Sequence, residues 1–193
     1  MSVVALPSIR SKEELITFIA EGNEVKYLFF WGHTTKNDLV VGKECLSQWY
    51  ESNFEIDGIH YPTAEHYMMA EKARLFNDSE ALKKILESKH PGDAKKQGRT
   101  VKGYQDDVWK KHRFNIVVCG NQAKFSQNEK LKEFLINTND RVLVEASPHD
   151  RVWGIGLEQT NPDAENSAKW RGLNLLGFAL MKVRTEISGQ IYR

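Results

Sequence analysis

The chain has 193 residues, 40% of them hydrophobic and 27% charged, and a formal net charge of +1. That length allows one substantial core and falls short of two average domains, and the composition excludes wholesale disorder. Two cysteines without C-x-x-C spacing, Cys45 and Cys119, exclude a disulfide framework and a zinc knuckle, and the near-zero charge excludes a globally cationic nucleic-acid binder.

No apolar run is long enough to span a bilayer, so no membrane segment is expected. The N-terminus lacks the basic and apolar regions of a secretory signal. A cytoplasmic location is the expectation, with the nucleus also open.

In chain order, Ser11-Lys12-Glu13-Glu14 reads as a capping box opening a helix that ends at Gly22. Tyr27 to Trp31 reads as a buried strand closed by Gly32, and a loop rich in Gly, Lys and Asp follows. Phe54, Ile56, Ile59 and Tyr61 flank Asp57-Gly58, the dipeptide of a type I′ hairpin turn. Thr63 can cap a helix from Ala64 to Arg74. A further helix starts near Ser79 and stops at His90-Pro91-Gly92.

Asp106 and Asp107 suit the positive end of a longer helix carrying Trp109, Ile116 and Val117. A short helix fits Glu129 to Ile136, and Arg141 to Ala146 alternates like a strand. An irregular segment runs through Asp163, and a last helix spans roughly Leu173 to Ile187. Helices dominate around a small β-sheet, which predicts an α+β class in a single domain. The expected division is an N-terminal helical extension over 1–26, a catalytic domain over 27–187 and a tail over 188–193.

Between Lys83 and Arg113 stand ten Lys or Arg against four acids, an excess of six suited to phosphate. A solvated helix face accounts for the same stretch equally well. Trp153-Gly154-Ile155-Gly156 begins like a dinucleotide fingerprint, yet Gln159 replaces the third glycine and no βαβ pattern surrounds it. His60, Glu65 and His66 meet neither metal-helix spacing, so no metal and no cofactor is expected.

Glu65 and Lys72 are seven residues apart, which at 3.6 residues per turn puts them on nearly the same helix face, about 10 Å apart along the axis. A dipole-stabilised carboxylate and an exposed cation would also explain them. His66, Tyr67 and Met68 read as core or as support for the site.

The segment Tyr61-Pro62-Thr63-Ala64-Glu65-His66-Tyr67-Met68-Met69-Ala70-Glu71-Lys72-Ala73 closely resembles the signature helix of the NADAR superfamily. Further matches follow in order: Gly98-Arg99, Trp109, Asp150-Arg151-Val152-Trp153-Gly154-Ile155-Gly156, and Asn174-Leu175-Leu176-Gly177 leading into Leu180-Met181-Lys182-Val183-Arg184. Phe29-Phe30-Trp31-Gly32 looks like the start of the domain. The resemblance covers roughly Tyr27 to Ile187. At Ile155 the chain departs from shorter bacterial members that act on riboflavin intermediates, which carry an Asp between the two glycines.

The resemblance implies hydrolysis of N-glycosides in which ribose C1 is bonded to the exocyclic amino group of a guanine-like base. Two substrate classes follow from it: ADP-ribosyl guanine in nucleic acid, and a phosphoribosylated base among the early riboflavin intermediates. It implies Glu65, Lys72 and Asp150 as catalytic residues and Arg99, Trp109, Trp153, Gly154 and Asn174 as substrate-binding residues.

Two chemical routes are open. Lys72 can attack C1 to form a Schiff base while Glu65 moves protons, provided burial lowers the lysine pKa from about 10.4. Alternatively Glu65 or Asp150 activates water directly and Lys72 only holds an oxygen. Trp109 and Trp153 offer stacking surfaces for a base, worth about 1–3 kcal/mol in nucleic-acid systems. Arg99 suits a phosphate, and Asn174 a ribose hydroxyl. A non-catalytic ADP-ribose-binding module and a nucleic-acid-binding protein acting through the basic stretch are the rival classes.

Overall fold

The structure, a computed structural model, describes residues 9–34 and 40–191, with side chains through residue 189. Parts of the expected extension, loop and tail, namely residues 1–8, 35–39 and 192–193, lie outside the described residues. In chain order the elements are α1 (Lys12–Ala20), β1 (Tyr27–Phe30), β2 (Phe54–Ile56), β3 (Ile59–Tyr61), α2 (Ala64–Leu75), α3 (Ser79–Glu87), α4 (Pro91–Arg99), α5 (Asp106–Ser126), α6 (Glu129–Ile136), β4 (Val142–Glu145) and α7 (Leu175–Ile191). Helices with two short sheets make this an α+β protein, as the residue pattern implies.

The chain forms two compact units, one of residues 1–31 with 133–193, the other of residues 32–132. In the first, β1 pairs in parallel with β4, Tyr27 opposite Val142 and Phe30 opposite Glu145. Val142, Leu143 and Val144 are wholly buried, and α7 packs on β4. At the start of α1 the Ser11 hydroxyl accepts from the Glu14 N–H, which is half of the expected capping box. The Glu14 carboxylate reaches back one residue further, to the Arg10 N–H. The helix ends at Ala20, two residues before Gly22.

In the second unit β2 and β3 form an antiparallel hairpin, Phe54 opposite Tyr61. Asp57 and Gly58 have φ of 53° and 76°, the left-handed pair that a type I′ turn requires. The hairpin delivers the chain to α2, the central helix of this unit, against which α3, α4 and α5 pack.

Two boundaries differ from the sequence expectation. His90-Pro91-Gly92 starts a helix instead of ending one. Pro91 occupies the first helical position, where a missing N–H costs nothing, and the His90 ring accepts from the Gly92 N–H. The last helix begins at Leu175, because Asn174 has φ of 54° and cannot be helical, and it continues to Ile191.

Candidate active site

Thr63 caps α2 as its sequence implies, with its hydroxyl accepting from the His66 N–H. The hydroxyl also lies 2.8 Å from His66 Nδ1, and Nε2 lies 3.1 Å from the Ser88 carbonyl oxygen. These contacts suit a neutral ring whose Nε2–H donates to Ser88, and burial lowers the His66 pKa. His66 therefore braces the helix start, which is the supporting role expected of it.

Glu65, in the first turn of α2, is 2% exposed. Its backbone N–H donates to the Gln48 carbonyl oxygen, which ties the preceding 47–50 segment to the helix start. A carboxylate buried at this depth is held close to the positive end of the helix.

Two turns further along α2, Lys72 is half-buried, and its ammonium donates to the Gly98 carbonyl oxygen at 2.7 Å. It sits 4.4 Å from the Tyr104 ring centroid and 5.6 Å from that of Trp109. Burial, and then the Arg99 guanidinium, push its pKa below the ordinary lysine value. The close approach of α4 depends on Gly98: a Cβ there would lie 2.1 Å from Met69 Sδ and 3.2 Å from Met69 Cβ.

Four of the eight expected residues therefore belong to one unit. Glu65 and Lys72 share α2, Arg99 ends α4 exposed, and Trp109 opens α5 at 8% exposure. Tyr104 is an addition that residue spacing missed. Its hydroxyl donates to Asp106 at 2.9 Å, and its ring meets Phe76 at 5.3 Å between centroids. An aromatic beside Gly103, immediately before the acidic start of α5, was the available signal.

Asp150, Trp153, Gly154 and Asn174 lie in the other unit. Asp150 Oδ1 accepts from the N–H groups of Val152 and Trp153 at 2.8 and 2.7 Å, so it shapes the 150–156 loop. Trp153 is half-exposed. Gly154 is required by crowding, since a Cβ would stand 2.8 Å from the Glu145 carbonyl oxygen. The carbonyls of residues 151–154 accept from the N–H groups of Leu173, Asn174, Leu175 and Leu176.

Asn174 is fully buried. Its side-chain oxygen accepts from the Glu145 N–H at 3.0 Å and its amide donates to the Leu143 carbonyl at 2.9 Å. Both polar ends are engaged by β4, so this geometry makes Asn174 a clamp on the strand, with one amide N–H and one oxygen lone pair beyond these two bonds. Ile155, in the position of the family's departure, is fully buried.

Several cations of the basic stretch are paired: Lys83 with Glu87, Lys84 and Lys102 with Glu80, and Lys110 with Asp106. Lys89, Lys95, Lys96 and Arg99 have no ion pair among the described residues. Also among the described residues, no three His, Cys, Asp or Glu side chains are grouped to hold a metal, and no helix is long and apolar enough to cross a membrane.

The NADAR domain matches residues 29–188. The chain is 44% identical over 166 residues to N-glycosidase R617 of Acanthamoeba polyphaga mimivirus, covering 83% of this chain and 96% of that protein. It is 35% identical over 142 residues to the chloroplastic riboflavin biosynthesis protein PYRR of Zea mays, covering 70% of this chain and 21% of that longer protein. In fold it is similar to the NMR structure of the E. coli protein YbiA, with a TM-score of 0.67, 23% identity and coverage of 89% and 90% of the two chains. This chain belongs to the NADAR domain family, in which several of its relatives are named N-glycosidases.

Proposed function

We propose that this chain is an N-glycosidase that releases ADP-ribose from the exocyclic amino group of guanine in nucleic acid. The observation that carries the reading is Lys72: a half-buried amine of lowered pKa, held by Gly98 beside the Tyr104 and Trp109 rings and two turns from the buried Glu65 on the same helix. A lysine is nucleophilic only when neutral, and burial together with a neighbouring cation favours the neutral form.

The bond itself suits an amine catalyst. The glycosylamine opens at the ring oxygen to an imine between C1 and the base nitrogen. Lys72 adds to C1, the base nitrogen takes a proton from Glu65 and leaves as a neutral amine, and a Schiff base to Lys72 remains. Water then adds at C1, the lysine departs and the sugar ring closes, so one water is consumed per bond cleaved. Arg99 contributes charge for the diphosphate, and Trp109 a flat surface for the base. Asp150 is retained from the family resemblance as a catalytic candidate.

A second reading, hydrolysis of a phosphoribosylated riboflavin intermediate, draws support from the maize relative's name. Ile155 weighs against it, since the shorter bacterial members with that substrate carry an Asp where this chain buries an aliphatic side chain.

The test is an oligonucleotide bearing ADP-ribosyl guanine, with released ADP-ribose followed by mass spectrometry for the wild type and Glu65→Gln. The proposal expects release by the wild type and a loss of about 10²- to 10⁴-fold in the variant, the usual contribution of a positioned proton carrier. Release from the riboflavin intermediate alone would establish the second reading, and stoichiometric binding without turnover of either would make the chain a binding module.

A further inference from the structure

A cavity of about 530 Å³ opens in the second unit without Glu65 or Lys72 in its wall. Its lining includes His33, Trp49, Tyr50, Lys89, His90 and Pro91. The volume is in the range of sites that hold a nucleotide-sized ligand.

His33 and His90 line this cavity together with Trp49. The His33 ring lies 5.5 Å from it, tilted by 54°, and the His90 ring meets it edge-on at 5.8 Å and 88°. The Lys95 ammonium stands 5.7 Å from its centroid. Neither histidine ring lies parallel to the indole, which is half-exposed and has the Lys95 ammonium over its ring, so an aromatic face and a cation stand together here.

The position of α4 gives the cavity its meaning. Pro91, at the start of α4, lines it, and Gly98, near the helix end, accepts the Lys72 hydrogen bond. Nine residues at 1.5 Å each make α4 about 13 Å long, several steps of a stacked strand at about 3.4 Å per nucleotide. Lys89, Lys95, Lys96 and Arg99 occur along this stretch with Asp93 as its one acid, and none of the four cations has an ion pair among the described residues. Glu51, also in the lining, is exposed.

We propose that the Trp49 cavity and the basic edge of α4 form a track for the single nucleic-acid strand that flanks the modified guanine, one flanking base stacking on Trp49 and its phosphates meeting Lys89 and Lys95. This rests on the reading of Lys72 as the catalytic group acting on guanine in nucleic acid. The chemistry required is that of a single strand: an aromatic face takes any base, and lysines take the backbone without reading sequence.

The experiment is fluorescence anisotropy of a labelled, unmodified ten-nucleotide oligothymidylate titrated with wild-type protein, Trp49→Ala, Trp49→Phe and Lys95→Glu at several salt concentrations. Loss of one stacked base weakens binding by about 5- to 150-fold. Trp49→Ala should show that loss and Trp49→Phe should recover most of it, while Lys95→Glu should weaken binding and flatten the salt slope by about one unit. Lys95→Glu keeps the test decisive if Trp49→Ala does not fold. Binding that is absent, or equal within twofold in all four proteins, overturns the track.

Turnover separates this proposal from the one beneath it. If the wild type hydrolyses both the ADP-ribosylated oligonucleotide and an ADP-ribosylated guanosine without flanking nucleotides, Trp49→Ala should raise KM for the oligonucleotide alone. An unchanged KM for both overturns the track and leaves the glycosidase standing. If the wild type hydrolyses neither, the glycosidase reading fails, and the anisotropy series still decides whether the strand is bound.

Discussion

The Lys72 ammonium and the Gly98 carbonyl oxygen meet at 2.7 Å, and this one bond fixes the candidate nucleophile of α2 against the last turn of α4. Because Gly98 immediately precedes Arg99, the same turn that holds the amine also sets the cation that, after burial, lowers its pKa. Position and protonation state of Lys72 are thus coupled through two adjacent residues.

That coupling has a kinetic consequence. If neutral Lys72 is the attacking group, kcat rises with pH through the lysine pKa. Arg99 lowers that pKa, so Arg99→Gln should move the rising limb to higher pH and reduce the rate at neutrality. A pH profile of kcat at saturating substrate checks this, and an unmoved limb would remove Arg99 from the activation of Lys72.

Lys124 makes a separate claim about stability. It is fully buried in α5, and its ammonium donates to the Cys45 and Ser47 carbonyls at 2.7 and 2.8 Å. Burial lowers its pKa to about 8, against about 10.4 in an unfolded chain. Between those values the unfolded chain holds more protons, so this group's contribution to stability increases as pH rises through the window and is most unfavourable below pH 8. The urea midpoint of the wild type minus that of Lys124→Met should therefore be larger at pH 10 than at pH 7. A difference that stays constant or shrinks would contradict the burial argument.

Asn174→Ala tests whether this residue clamps the strand or contacts substrate. Losing the amide leaves the Glu145 N–H and the Leu143 carbonyl without this partner, at about 1–3 kcal/mol for each group left buried and unsatisfied. Urea denaturation should show a lowered midpoint with an unchanged slope. Unaltered stability with a raised KM would return Asn174 to the ribose.

The features legible in sequence are those with local causes. The Asp57-Gly58 turn, the Ser11 and Thr63 caps and the helix beginning at Asp106 each follow from the chemistry of adjacent residues. Glu65 and Lys72 were found by spacing and by the resemblance of one helix to a family signature. Pro91 misled because a proline both follows helices and starts them, and only the His90 cap distinguishes the cases.

What escaped notice was tertiary. Gly98 and Tyr104 reach Lys72 from 26 and 32 positions away, and nothing in the intervening residues announces the contact. Nothing beside Lys124 in sequence announces its burial, which arises where α5 meets the segment that carries Cys45 and Ser47. Asn174 reads as an ordinary helix-start residue, and its left-handed backbone and β4 partners appear only in three dimensions.

The measurement that bears most directly on the account is borohydride trapping during turnover of ADP-ribosyl guanine, followed by peptide mass spectrometry. The mechanism predicts a reduced ribosyl adduct on Lys72 and loss of both adduct and ADP-ribose release in Lys72→Met. Normal release with Lys72 unmodified at every borohydride concentration would contradict it and make water, not the lysine, the attacking group.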